Sequence, residues 1–187
     1  GISIMSELRT NRIVPRDGLV STTTSAGGII QVKHTIFSGI ASRTTSSYDF
    51  GALVTSDAIT PTRSDSKILI QCVMYMSTSN DSGRFGYRVM RVPVGGSAAH
   101  ITPTQYGDGA GNRQQVATYH RQSSEADMPA LVFNGIDAPS TTSPVTYSIY
   151  SSGENTDTVY LNRTDANTDS ASHYRPISTI TLMEISG

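Results

Sequence analysis

SKILIQCVMYMS, Ser66 to Ser77, is the stretch on which the reading of the fold turns. Ile68, Ile70 and Val73 are β-branched and no capping pattern precedes them. An extended strand is therefore favoured over the competing short buried helix. Successive side chains of a strand point to opposite faces. Ile68, Ile70, Cys72, Met74 and Met76 then share one face, and Leu69, Gln71, Val73 and Tyr75 the other. Both faces are largely apolar, whereas an isolated two-layer sandwich keeps one face of each sheet wet. The pattern predicts a second buried surface, most simply a contact between subunits. Ile68, Ile70, Met74, Met76 and Tyr75 are the candidate residues for that oligomer interface.

Outward from this stretch, further strands are expected at short intervals. Residues 28–37 place Ile30, Val32, His34 and Ile36 on one face, and residues 83–94 group Phe85, Tyr87 and Val89 opposite Arg88 and Met90. Clear candidates follow at 130–136, 144–151, 157–163 and 176–186, with weaker ones at 97–102 and 113–121. Turn-forming clusters separate them, as at Ser79–Gly83, Gly95-Gly96, Gly107–Asn112 and Ser151–Asn155. Residues 123–128 have room for one helical turn and nothing longer. About eight to ten short strands without a long helical pattern predict an all-β fold, a β-sandwich with the jelly roll as the leading option.

Composition narrows the function classes. The chain has 187 residues, 16% of them charged, and a formal net charge of -1. Ser and Thr supply 49 positions, roughly a quarter of the chain. Charge-driven binding of nucleic acid needs clustered Lys and Arg, which this balance does not provide. One cysteine excludes an intrachain disulfide and a multi-Cys metal site. No run of about 18 apolar residues encodes a membrane span. Charge begins at Glu7, so no secretory leader is expected, and Gly1 reads as following a removed initiator Met.

The first 27 residues differ from the rest. Sustained alternation is missing, Pro15 stops any helix begun after Ser6, and a Ser/Thr/Gly stretch leads into the first strand. The organisation expected is an extended N-terminal arm, 1–27, and a sandwich domain, 28–187. An arm of this kind packs on a neighbour, anchors the protein to a larger particle, or folds back along its own body. Leu8, Arg9, Arg12, Ile13 and Arg16 are the candidate particle-anchoring residues.

Reactive chemistry is sparse. No G-x-S-x-G elbow and no phosphate loop ending in Lys-Ser/Thr occurs. His34, His100, His120 and His173 lack metal-type spacing, so each is expected to be solvated or hydrogen-bonded. Asp165, Asn167 and Asp169 resemble the start of a calcium loop, but Ser170 and Pro176 stand where an EF-hand needs Gly and Glu. A looser calcium loop and a plain polar turn remain. Cys72, mid-strand among apolar neighbours, is expected to be inert. The sequons at Asn80 and Asn162 carry no weight without a secretory signal. Tyr106, Asp108, Asn112, Asn155 and Asp157 lie in loops suited to glycan recognition, or to plain solvation. No catalytic, cofactor or metal residue is assigned.

Several stretches carry a resemblance. Glu7–Gly18 (ELRTNRIVPRDG), Gly27–Val32, Thr60-Pro61-Thr62 with Ser66–Ile70, and Ser178–Ile185 resemble small virion proteins of marine tailed phages, cyanophages in particular. The body also resembles a tumour-necrosis-factor/complement-type jelly roll. These resemblances imply a homotrimer formed through one sheet face, and a knob, fibre or decoration protein located in the virion. The implied partners are further copies of the chain and other capsid or tail proteins. They supply no catalytic residues, and no enzyme activity is expected. The runner-up is a fibre tip that binds a receptor or host-surface glycan through the polar loops. A carbohydrate-active enzyme needs paired carboxylates, and Glu7, Glu125, Glu154 and Glu184 show no sign of pairing.

Overall fold

The quoted stretch is the spine of a two-sheet sandwich. The computed structural model describes residues 28–186. The expected arm, with Leu8, Arg9, Arg12, Ile13 and Arg16, therefore lies outside the described residues. Among those described, eleven strands follow one another: β1 (Ile29–Phe37), β2 (Ala41–Thr44), β3 (Gly51–Thr55), β4 (Lys67–Thr78), β5 (Arg84–Pro93), β6 (Ala99–His100), β7 (Thr118–Arg121), β8 (Ala130–Asp137), β9 (Val145–Gly153), β10 (Thr158–Leu161) and β11 (Ser178–Ile185). β2 and β3 were not foreseen, because Ala41–Thr44 and Gly51–Thr55 are too short and too mixed to show a period. The weak candidates at 97–102 and 113–121 contract to β6 and β7. Residues 123–128 make a hydrogen-bonded turn, Asp127 N–H donating to Ser124 C=O at 3.1 Å, rather than a helix.

Strand order defines the architecture. One sheet runs β1-β11-β4-β10-β2 with β8 also on β4; the other runs β3-β9-β5-β6 with β7 also on β5. Every named pairing is antiparallel. Cys72 lies opposite both Ile180 of β11 and Phe133 of β8, so those strands flank β4 on its two edges. β1, β11, β4 and β8 thus form one layer, and β3, β9, β5 and β6 with β7 the other. The chain changes layer at β2–β3, β3–β4, β4–β5, β7–β8, β8–β9 and β9–β10. Two antiparallel four-position sheets joined in this order are a jelly roll.

The alternation in β4 decides what lies between the layers. Ile68, Ile70, Cys72, Met74 and Met76 are wholly buried and pack with Phe85, Tyr87 and Val89 of β5, Leu131 and Phe133 of β8, and Tyr147 and Ile149 of β9. This corrects the assignment of Ile68, Ile70, Met74 and Met76 to a subunit contact: the facing sheet of the same chain already covers them. Burial pushes the Cys72 thiol up to about 12, which keeps it protonated and unreactive. Gly135 of β8 leaves room for the Phe133 ring, which a Cβ at that position would overlap.

Buried polar groups in this core are partnered into joints. The fully buried Asp137 carboxylate accepts from Arg91 Nη1 at 2.9 and 3.0 Å, from Thr102 N–H at 2.6 Å and from Tyr147 O–H at 2.8 Å. It therefore ties β8 to β5, to β9 and to the segment after β6. Asn162, in the left-handed region at φ 58°, fills the gap where β10 ends and β11 begins. Its amide donates to Phe37 C=O at 2.7 Å and Gly39 C=O at 2.9 Å, while Ser178 O–H donates to its carbonyl at 2.6 Å. Those bonds remove the second sequon from the surface. Gln122 serves as a substitute strand, bonding both backbone groups of Thr78 at 2.7 and 2.8 Å. Glu184, buried at the far end, accepts from Gln31 Nε2 at 2.6 Å and from Thr62 N–H and O–H, each at 2.7 Å.

Two stability predictions follow from these joints. Asp137→Ala leaves Arg91, Tyr147 and Thr102 without their acceptor and should cost about 3–5 kcal/mol in urea unfolding. A loss below about 1 kcal/mol would show that the joint carries no weight. For Glu184, burial raises the carboxyl pKa, but donors from Gln31 and Thr62 outweigh it and hold the group below its ordinary value. A lowered folded pKa gives stability that is present above the unfolded value of about 4.3 and disappears as pH falls through the folded value. Glu184→Gln should therefore unfold more easily than the parent at pH 7, by about 1–3 kcal/mol. The gap should narrow below about pH 4; a gap that stays constant with pH contradicts this.

Candidate contact face and loop cleft

With the even residues of β4 spent on the core, its odd residues face outward. Strand register aligns them in rows across four strands. One row is Val32, Met183, Leu69 and Ile136; another is Ile36, Thr179, Val73 and Val132. Between them run His34, Thr181, Gln71 and Asn134. Tyr75 opposite Ala130 continues the surface, half-buried, and is the one predicted interface residue found on it. None of these three rows contains a charge. Val32, Ile36 and Val132 are 53%, 55% and 50% exposed. With strands about 4.8 Å apart and same-face residues about 7 Å apart, the three rows span roughly 300 Å², the size of the largest apolar patch on a typical monomer, with a polar row along the middle.

The outer face of the other sheet is different in kind. Thr146, Tyr150 and Ser152 of β9 and Arg84 and Arg88 of β5 point away from the core, and the segment after β6 folds back over them. Arg88 is the clamp. Its guanidinium stacks on Phe50 at 3.7 Å from the ring centre, and its Nε donates to Gln115 C=O at 2.5 Å. Tyr106, one of the expected loop-tip residues, turns inward instead, donating to Val89 C=O at 2.7 Å. Burial pushes its phenol up to about 12.

This fold-back leaves a cleft of about 500 Å³ beside β5. Register sets its floor: Gly86 lies opposite Tyr119 of β7 on one edge and Ser152 of β9 on the other. A Cβ at Gly86 would approach Thr118 O to 2.7 Å and Tyr119 Cβ to 3.0 Å, so only glycine lets the tyrosine sit there. Tyr119 is 65% exposed. Tyr48 also lines the cleft, at φ 68° and next to Ser47 at 46°, a backbone conformation that bulky residues rarely adopt. Its N–H donates to Gly153 C=O at 3.1 Å and that of Ser47 to Asn155 C=O at 2.8 Å, which hold the strained pair in place. Asn112, Arg113 and Gln114 form the rim. Arg84, also at the cleft, pairs with Glu154 at 3.0 Å.

Of the five loop residues named from sequence, Asn112 alone lines the cleft. Asp157 is buried; desolvation raises its carboxyl, opposed by the Asn80 amide at 3.3 Å. Gly86, Tyr119, Tyr48 and Arg113 were not anticipated. A glycine inside an otherwise regular strand was the available signal for the first two. The histidines are dispersed and hydrogen-bonded: His34 to Thr181 at 2.7 Å, His100 to Tyr106 at 3.5 Å, His120 to Asp127 at 2.9 Å, and His173 to Thr168 at 3.2 Å. Among the described residues no group of three His, Cys, Asp or Glu could hold a metal ion. In the 165–169 turn Asn167 accepts from Arg175, and the Asp165 carbonyl from Arg163 at 2.6 Å. No helix among the described residues is long and apolar enough to cross a membrane.

No protein-family model matches this chain, and no curated protein matches its sequence. Solved structures are similar to it over 92% of its length. They include infectious bursal disease virus strains Gt (10% identity, TM-score 0.45) and Gx (10%, 0.44), and the subviral particle of that virus's VP2 protein (9%, 0.40). The chain spans 44% of the length of each of those chains. At these values the jelly-roll assignment stands on the strand order of the molecule itself.

Proposed function

We propose that this protein is a structural component of a tailed-phage virion, a knob, fibre or decoration subunit that self-associates through the outer face of β8, β4, β11 and β1. The observation that carries the reading is the charge-free face in which Val32, Met183, Leu69 and Ile136 on one row and Ile36, Val73 and Val132 on another flank the polar row His34, Thr181, Gln71 and Asn134. Apolar surface of that extent is stabilised by a partner, at about 25 cal/mol per Å² removed from water before ordering costs. A trimer is the assembly proposed, from the resemblance of the body to jelly rolls that trimerise through a sheet face. Residues 1–27, with their apolar and basic side chains, are proposed as the anchor on a capsid or tail protein. Jelly rolls serve viral capsids and lectins alike, so the fold is compatible with this role without selecting it.

Native mass measurement over a concentration series tests the reading. The parent chain should be trimeric at micromolar concentration, and Val132→Lys with Ile36→Asp, both at exposed positions, should shift it to monomer with an unchanged melting temperature. A parent chain monomeric at every concentration, or a double variant that still assembles fully, would overturn it. Deleting residues 1–27 should leave the oligomer intact and abolish attachment to purified particles.

A further inference from the structure

We propose that the cleft beside β5 binds an acidic saccharide, a pyranose bearing a carboxylate. The site lies on the sheet opposite the contact face, so it goes beyond the assembly reading and is occupied independently of it. Three features select this ligand class.

The first is charge. Among the described residues, two arginines and no carboxylate line the cleft. Glu154 answers Arg84, whereas Arg113 makes no ion pair among the described residues and gives one Nη1 hydrogen bond, to Ala110 C=O at 3.0 Å. The rest of its planar fork is open to a ligand carboxylate, which it matches in a bidentate manner. The second is shape. Exposed Tyr119, opposite Gly86, and Val116 line the cleft, giving it an apolar surface of the kind on which the C–H face of a sugar ring packs. The third is hydrogen bonding. Asn112 and Gln114 on the rim make no side-chain hydrogen bond among the described residues, and their amides are offered to hydroxyl groups. An inorganic anion leaves the tyrosine platform wet, and a neutral apolar ligand leaves Arg113 unanswered. A charged sugar satisfies all three, in a volume within the usual range for small-ligand sites. The strained backbone that holds Tyr48 at the cleft fits a preorganised site.

Calorimetric titration of the full chain with glucuronosyl-glucose, cellobiose and benzoate tests the proposal. Glucuronosyl-glucose should bind saturably, cellobiose about tenfold more weakly, and benzoate not measurably over the same range. Arg113→Ser, in an exposed loop outside every strand, should lower the uronate affinity about tenfold, to the cellobiose level, without altering cellobiose binding. Tyr119→Ala should weaken both sugars; if it fails to fold, the Arg113 result stands by itself. No uronate binding at millimolar concentration, equal binding of the two sugars, binding of benzoate as strong as that of the uronate, or an Arg113→Ser variant with parental affinity would each overturn the proposal. Loss of binding in a chain that still forms its oligomer removes this inference and leaves the assembly reading standing.

Discussion

Side-chain alternation along β4 is the constraint from which the rest of the molecule follows. Twelve consecutive residues, Lys67 to Thr78, are held straight by β8 on one edge and by β11 and then β10 on the other. Their even members are wholly buried among the facing strands, while the odd members Leu69, Val73 and Tyr75 stay half-buried on the outside. A shift of one residue in register would exchange these sets and expose five core side chains. The polar joints hold that register at three points. Asp137 fixes β8 to the opposite sheet, the pair Asn162–Ser178 fixes the β10–β11 junction, and Glu184 fixes the open end near Thr62.

The two outer faces then part company. Behind β4 two largely aliphatic rows flank a polar one, and none of the three carries a charge. Behind β5 the outward row mixes Arg84 and Arg88 with Gly86, Met90 and Val92, and the chain supplies its own cover, clamped by Arg88 and by Tyr106. One sandwich thus presents the face proposed to meet a second subunit and, on the other sheet, the cleft proposed to take a small ligand. The separation follows from β4 and β5 lying in different layers, so neither surface need be sacrificed for the other.

What the sequence made legible was whatever obeys a period of two. The all-β class, the longer strands and the inward set Phe85, Tyr87 and Val89 were readable because alternation repeats over many residues. The double apolarity of Ser66–Ser77 was also readable, but not which face meets the other sheet. Both sets are aliphatic, and only the residues aligned beside them decide: buried Phe133 and Ile180 next to Cys72, exposed Val132 and half-buried Thr179 next to Val73. Those neighbours are distant in sequence, and their register is set by tertiary pairing. The cleft was less legible still. Tyr48, Gly86, Arg113 and Tyr119 come from four separate segments, and Tyr106 reads as a solvated tip until a sheet is present for it to brace.

Methionine side chains report on both faces of the sheet in one sample. Met74 and Met76 lie on the inner face of β4, and Met183 on the outer face of β11 beside Leu69. Pulse oxidation read by peptide mass spectrometry at increasing protein concentration measures their exposure directly. The account predicts that Met74 and Met76 are protected at every concentration, while Met183 oxidises in the dilute protein and becomes protected as the oligomer forms. Rapid oxidation of Met74 or Met76, or a Met183 rate unchanged by assembly, would contradict it.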